Sequence, residues 1–175
     1  MDQQPPGAQP PLPPPPPPVP TEPPSYTPGP SASLATPLRR LGARLLDGLI
    51  VSIPVTLLFF AIADPRVVGR TISPEDALTL QLLASALGGL YEIVLVHLRG
   101  QTVGKMAVGI KVAQIEDGRP PSWNRASIRY GVPTLAQYVP YIGGIAALVV
   151  YLWLLWDPRR QGLHDKAART IVIAT

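Results

Sequence analysis

Polar and apolar positions follow two regimes along this chain, and the regimes meet near Pro37. Up to that residue no apolar run exists; the segment is proline with scattered Gln, Ala, Ser and Thr, unbroken from Pro13 to Pro18. Beyond it the apolar residues come in long continuous runs, neither alternating nor confined to one face. Leu45–Ala63, LLDGLIVSIPVTLLFFAIA, is about the length needed to cross ~30 Å of hydrocarbon, and its Pro54 is tolerated where neighbours satisfy the freed carbonyl. A polar loop, Asp64–Asp76, ends in Ser73-Pro74-Glu75-Asp76, which reads as an N-cap, a proline at the first helical position and acids in the first turn. The second span, Ala77–Leu98, carries small residues suited to close helix contact: Ala84, Ser85, Ala86, Gly88 and Gly89.

Arg99–Arg125 is different in kind. Val108–Ile115 is rich in β-branched residues and Asp117-Gly118 is a hairpin-type turn, so two short strands or an extended hairpin are expected at the membrane surface. Thr170–Ile173 offers a further pairing segment. Ile128–Trp156 reads either as one long span or as two helices broken around Pro140-Tyr141-Ile142-Gly143-Gly144. The positive-inside rule favours the break: with the N-terminal side cytoplasmic, only Arg66 and Arg70 then fall outside. The third helix, around Ala126–Val139, carries Arg129 and Gln137 and is expected half-inserted or re-entrant. The fourth, Gly143–Trp156, is short, with Tyr151, Trp153 and Trp156 as interfacial anchors. The predicted fold is an all-α membrane bundle of about four helices with a short cytoplasmic β-hairpin-like segment, spanning residues 38–175. Residues 1–37 form a disordered, proline-rich cytoplasmic tail.

Composition sharpens this picture. Charged residues are 15% of the chain and hydrophobic ones 46%, against about 25% charged in a soluble domain. Two-thirds of the 24 prolines fall within residues 1–37, where too little apolar surface exists to offset ordering entropy, giving local polyproline II. Pro23-Pro24-Ser25-Tyr26 has the spacing of a WW-domain ligand, though a spacer or tether is the plainer reading of so proline-rich a segment. The N-terminus has neither the charged nor the apolar region of a signal peptide. The net charge of +4 is carried by residues flanking apolar runs, which points to a membrane surface and not to nucleic acid. Cysteine is absent, and two histidines make a poor zinc set, so neither metal nor cofactor is expected.

Ionisable residues at membrane depth are functional candidates by default. Arg40, Arg44 and Asp47 form the first cluster, with Arg40 and Asp47 at i, i+7 on one helix face. An acid whose charge is set by an arginine suits proton or cation movement; the plainer reading has the arginines snorkelling to headgroups. Glu92 is the deeper acid, expected to keep its proton and to form a site with Asp47 or a hydrogen-bonded structural contact. Gly100–Lys105 is off by one residue from a phosphate-binding loop and has Met106 where Ser or Thr is required, so Lys105 is assigned instead to headgroup phosphates. His164-Asp165 comes with no serine or cysteine nucleophile, and enzyme activity is not expected. Asp157 and Asp165 are expected to pair with Arg159, Arg160 and Lys166 across the cytoplasmic face.

Together these residues resemble the RDD family of bacterial membrane proteins. The resemblance rests on Arg40-Leu41-Gly42-Ala43-Arg44-Leu45-Leu46-Asp47, on GQTVGKMAVGIKV followed by DGRPPSWNRASIR, and on the ending WDPRRQGLHDKAART. It covers about Leu38–Thr175 and gives Arg40 and Asp47 the first two named roles, with Asp165 preferred to Asp157 for the third. It implies a helical domain in the bacterial cell membrane, multi-pass and suspected of transport, with both termini cytoplasmic on the charge argument. Four short helices can hardly enclose a pathway, so transport of a small ion or solute implies a homo-oligomer in the lipid bilayer. The alternative is a membrane-anchored adaptor whose tail engages a cytoplasmic protein.

Overall fold

The computed structural model describes residues 33–62 and 73–175. Two 26-residue helices dominate it, α1 (Pro37–Ile62) and α2 (Pro74–Arg99). Each is about 39 Å long at 1.5 Å per residue, enough to cross hydrocarbon with tilt. They pack against each other, yet only 22% and 17% of their apolar windows are buried. The core helix of a soluble protein would be covered; these two present leucine, isoleucine and phenylalanine outward, including Leu49, Ile53, Leu57, Phe60, Leu78 and Leu90. The start of α2 follows its capping sequence, since the Ser73 side chain accepts from the Asp76 N–H at 3.1 Å. It ends at Gly100, whose φ of 71° returns an N–H to the Val96 carbonyl.

The remaining elements are short. α3 (Val103–Ala107) is capped by Thr102, and β1 (Ile110–Gln114) follows. α4 (Trp123–Gln137) is capped by Ser122. α5 (Gly143–Leu152) continues into a 3-10 turn at Trp153–Leu155. α6 (Leu163–Ala167) and β2 (Thr170–Ala174) close the chain. The break between α4 and α5 falls where the glycines and proline place it: Tyr141 takes φ 66°, and a Cβ on Gly143 would collide with the Gln137 carbonyl. Among the described residues two helices, not four, are long and apolar enough to span unaided. α4 brings Arg125 and Arg129 into a 15-residue helix, and the apolar stretch Gly143–Leu155 is shorter than a crossing.

The hairpin expected after β1 does not form. The Asp117-Gly118 turn is present, with Gly118 at φ 70° and the Gln114 N–H donating to the Arg119 carbonyl. Pro120 and Pro121 come next and have no N–H for a returning strand, so the chain enters α4 instead. β1 pairs antiparallel with β2, in register from Ile110↔Ala174 to Gln114↔Thr170. Leu34 bridges Ile173, and the Ala35 N–H donates to the Val172 carbonyl at 3.0 Å. The sheet thus draws in both ends of the described chain. On one face Ile110, Val112 and Val172 pack with Ala35, Ala43, Val96 and Ala126; on the other, Ala113, Ile171 and Ile173 form a smaller cluster. Of the proline-rich segment 1–37, only Ser33–Pro37 lies within the described residues.

Small residues decide how closely the helices meet. A Cβ on Gly89 would press on the Tyr130 ring, whose hydroxyl donates to the Ser85 carbonyl at 2.6 Å, so α4 lies directly on α2. At Gly104 a Cβ would strike the Ala43 carbonyl and the Asp47 carboxyl, while Gly144 has open space. Gly104→Ala is therefore expected to cost about 1–3 kcal/mol through overpacking, read as a lower thermal midpoint in detergent. Gly144→Ala should leave the midpoint unchanged or raise it slightly. Equal midpoints for the two variants would refute the close α1–α3 approach.

Candidate functional site

Seven ionisable side chains from α1, α2, α3, α4 and α6 meet beneath the sheet. Those on the two long helices lie in the first half of α1 and the last third of α2, hence at one end of the pair. Asp165 in α6 is fully buried; Arg40 Nη1 donates to its Oδ2 and Arg129 Nε to its Oδ1, each at 2.9 Å. Arg129 reaches on through Nη1 to Glu92 Oε1 at 3.2 Å. Glu92 also accepts from Arg44 Nη1 at 2.6 Å and from Lys105 Nζ at 3.2 Å. Lys105 lies 3.9 Å from Asp47 Oδ2. Asp47 in turn accepts from the Thr102 hydroxyl at 2.5 Å and from the Gly104 N–H and Tyr91 hydroxyl at 2.8 Å each. Four cations and three carboxylates thus form one continuous chain of contacts.

Burial sets the electrostatics. Desolvation alone would raise the Asp165 carboxyl, but His164, Arg129 and Arg40 around it hold it well below the usual carboxylate range. Of these, the two arginines carry the effect, because burial pushes the His164 imidazole down to about 4 and leaves it neutral at pH 7. Burial likewise lowers the Lys105 ammonium, against the pull of Glu92, to about 8. The Gly162 N–H adds a bond to Asp165 Oδ2 at 3.2 Å, so the acid also caps its own short helix. Arg44 lies over the Tyr151 ring, 5.1 Å from its centroid.

Several sequence expectations change here. Arg40 and Arg44 do not partner Asp47 along their own helix: Arg40 goes to Asp165 and Arg44 to Glu92. Glu92 is not a solitary acid, for three cations surround it. Lys105 does not face headgroups, because its side chain is 4% exposed and turned inward to Glu92 and Thr102. Asp157 does pair with Lys166, one of the partners expected for it, and also accepts the Arg159 and Gln161 N–H groups, capping the turn before α6. Asp165 meets no surface lysine. Two members were missed as site residues, Arg129 and Lys105. An arginine buried in α4 opposite two acids on other elements leaves little trace in the sequence, since the same helix also carries Arg125, which pairs with Glu116 instead.

Asp165→Asn leaves Arg40 and Arg129 buried around a neutral amide, and breaking a buried pair in this way costs about 3–5 kcal/mol. Asp157→Asn removes a turn cap and should cost about 1–2 kcal/mol. Thermal midpoints of the two variants in detergent test the difference, and equal losses would contradict the placement of Asp165. Since its carboxyl is lowered in the folded state, the stability it contributes is complete at neutral pH. That stability is lost only as pH falls below about 4, through the folded value.

A sequence profile of the RDD family matches residues 34–169, which include all seven network residues. The chain is 31% identical over 134 residues to the uncharacterized protein YckC of Bacillus subtilis, covering 76% of this chain and 80% of that one. It is 27% identical over 139 residues to the uncharacterized membrane protein YteJ of the same organism, covering 77% of each. A proline-rich antigen homolog of Mycobacterium tuberculosis is 30% identical over 118 residues, 65% of this chain and 43% of that protein. No solved structure matches. With two candidate spans and the profile extending over most of its length, this membrane protein belongs to the RDD family.

Proposed function

We propose that the chain exchanges a small monovalent cation for a proton across a bacterial cell membrane, acting as a homo-oligomer with both termini cytoplasmic. In this reading α4 and α5 insert partway beside α1 and α2, and self-association completes the pathway. The observation that carries it is Lys105, buried between Asp47 and Glu92. These two acids help line a cavity of about 150 Å³ with Arg44, Gly88, Tyr91 and Tyr130. Lys105 reaches the same carboxylates without lining that cavity.

The exchange follows from charge balance at low dielectric. A cation entering from the cavity side competes with the Lys105 ammonium for Asp47 and Glu92. Holding both would raise the network's surplus from one positive charge to two, so the ammonium releases its proton to the aqueous phase as the cation binds. A lysine titrating at about 8 can lose that proton under physiological conditions, which one at its ordinary value could not. Arg44 and Arg129 keep fixed charges on Glu92 throughout and hold its geometry.

The alternative, a membrane-anchored adaptor, is favoured by the proline-rich segment, with its Pro13–Pro18 run and PPSY sequence. Deleting residues 1–32 tests it while sparing Leu34 and Ala35, which pair with β2.

Cation-driven proton flux in proteoliposomes separates the readings. Under exchange, flux rises with pH through a midpoint near 8. Asp47→Asn and Glu92→Gln abolish it in protein that still inserts, Lys105→Arg removes the pH step, and deletion of residues 1–32 matters little. Absence of flux under every cation gradient, in wild type of verified insertion, would sink the exchange reading.

A further inference from the structure

The network has one more cation than carboxylates, and its positive groups gather on one side. Arg40, Arg44, Lys105 and Arg129 all line a second cavity, of about 400 Å³, together with His164. None of the three network carboxylates does. The rest of the lining is largely apolar, with Leu41 from α1 facing Leu148, Leu152 and Leu155 from α5 and the turn after it. All four leucines are exposed at the protein surface, so the mouth is greasy and lies beside the outward-facing flank of α1.

Two buried groups at this cavity have donors or acceptors to spare. Arg40 gives only Nη1 to Asp165; its Nε and Nη2 are buried without a partner among the described residues. His164, with a side chain 4% exposed, has an unpartnered Nδ1. Folded proteins rarely leave such groups unmatched. Arg44, whose side chain is 32% exposed, is the accessible cation of the set.

Each simple occupant fails on one count. A hydrocarbon chain would fill the leucine walls but leave the cations without a counter-charge. A small hydrated anion would answer the cations but leave the walls empty. We propose that the cavity binds an anionic phospholipid, its phosphate oxygens meeting Arg44 and then Arg40, and an acyl chain lying along the leucine walls. Guanidinium groups suit phosphate oxygens through paired, charge-assisted hydrogen bonds. The lipid surrounding the exposed flank of α1 is the nearest source of such a molecule. This cavity is not the one lined by Asp47 and Glu92, although Arg44 lines both and Lys105 takes part in both readings.

Native mass spectrometry of the detergent-released full chain tests the assignment, with phosphatidylglycerol and phosphatidylcholine supplied in equal amounts. One phosphatidylglycerol per chain should be retained, preferred over phosphatidylcholine by about tenfold, since both carry the phosphate but only the second brings a choline cation to a cavity already lined by Arg40, Arg44, Lys105 and Arg129. Leu148→Trp and Leu41→Trp fill the cavity from opposite walls without touching a network charge. Either one, when its lipid-free melting matches wild type, should bring the preference close to parity. Equal retention of the two lipids by wild type would overturn the proposal. So would an undiminished preference in both tryptophan variants, or displacement of the lipid by millimolar inorganic phosphate.

Discussion

Arg129 donates through one nitrogen to Asp165 and through another to Glu92, and this double attachment joins the C-terminal part of the chain to the α1–α2 pair. Neither acid could stay buried alone, since an unpaired charge in a low-dielectric interior costs more than a small domain can offset. Arg40 and Arg44 complete the pairing from α1, and Lys105 extends it to Asp47. Five elements are positioned by one set of charges. The short helices α3, α4 and α6 could not be placed by apolar burial alone, because so few of their residues belong to the buried apolar cluster.

The location of the network explains the rest of the architecture. It occupies one end of the α1–α2 pair, leaving most of both helices free to present apolar side chains outward. The two-stranded sheet, with Leu34–Ala35 beside it, holds the beginning and the end of the described residues together next to the charges. Around this frame the charges sort by sign, with Asp47 and Glu92 on one cavity and the four cations on another. Arg44 alone of the network cations lines both. The same pairing that stabilises the fold therefore leaves an acid-lined face and a cation-lined face, the two features on which the functional readings rest.

Elements set by local chemistry were legible in the sequence. The Ser73 cap, the break at Pro140–Gly144 and the two long apolar runs all depend on residues close in the chain, and each appears where those residues place it. Arg40, Arg44, Asp47 and Glu92 were visible as charges in or beside apolar runs, and Asp165 through the family resemblance. Their partners were not. Helical spacing puts Arg40 and Asp47 on one face, but the partner each one takes lies on another element, 125 residues away for Arg40. Lys105 looked like a surface residue because its neighbours Gly104 and Thr102 are turn-forming. The same glycine instead lets α3 press against Asp47 and carries the lysine inward. The hairpin expected from Asp117-Gly118 failed because Pro120 and Pro121 cannot continue a ladder, whereas the further pairing segment at Thr170–Ile173 is the one that β1 takes.

The central claim is that Arg129 and Asp165 stabilise the fold through each other, and a double-mutant cycle tests it most directly. Wild type, Arg129→Gln, Asp165→Asn and the double variant would be compared by unfolding in detergent. The account predicts a coupling energy of about 2–3 kcal/mol, with the double variant far less destabilised than the two single losses added together. A coupling within about 0.5 kcal/mol of zero, the additivity of sites that do not interact, would contradict it.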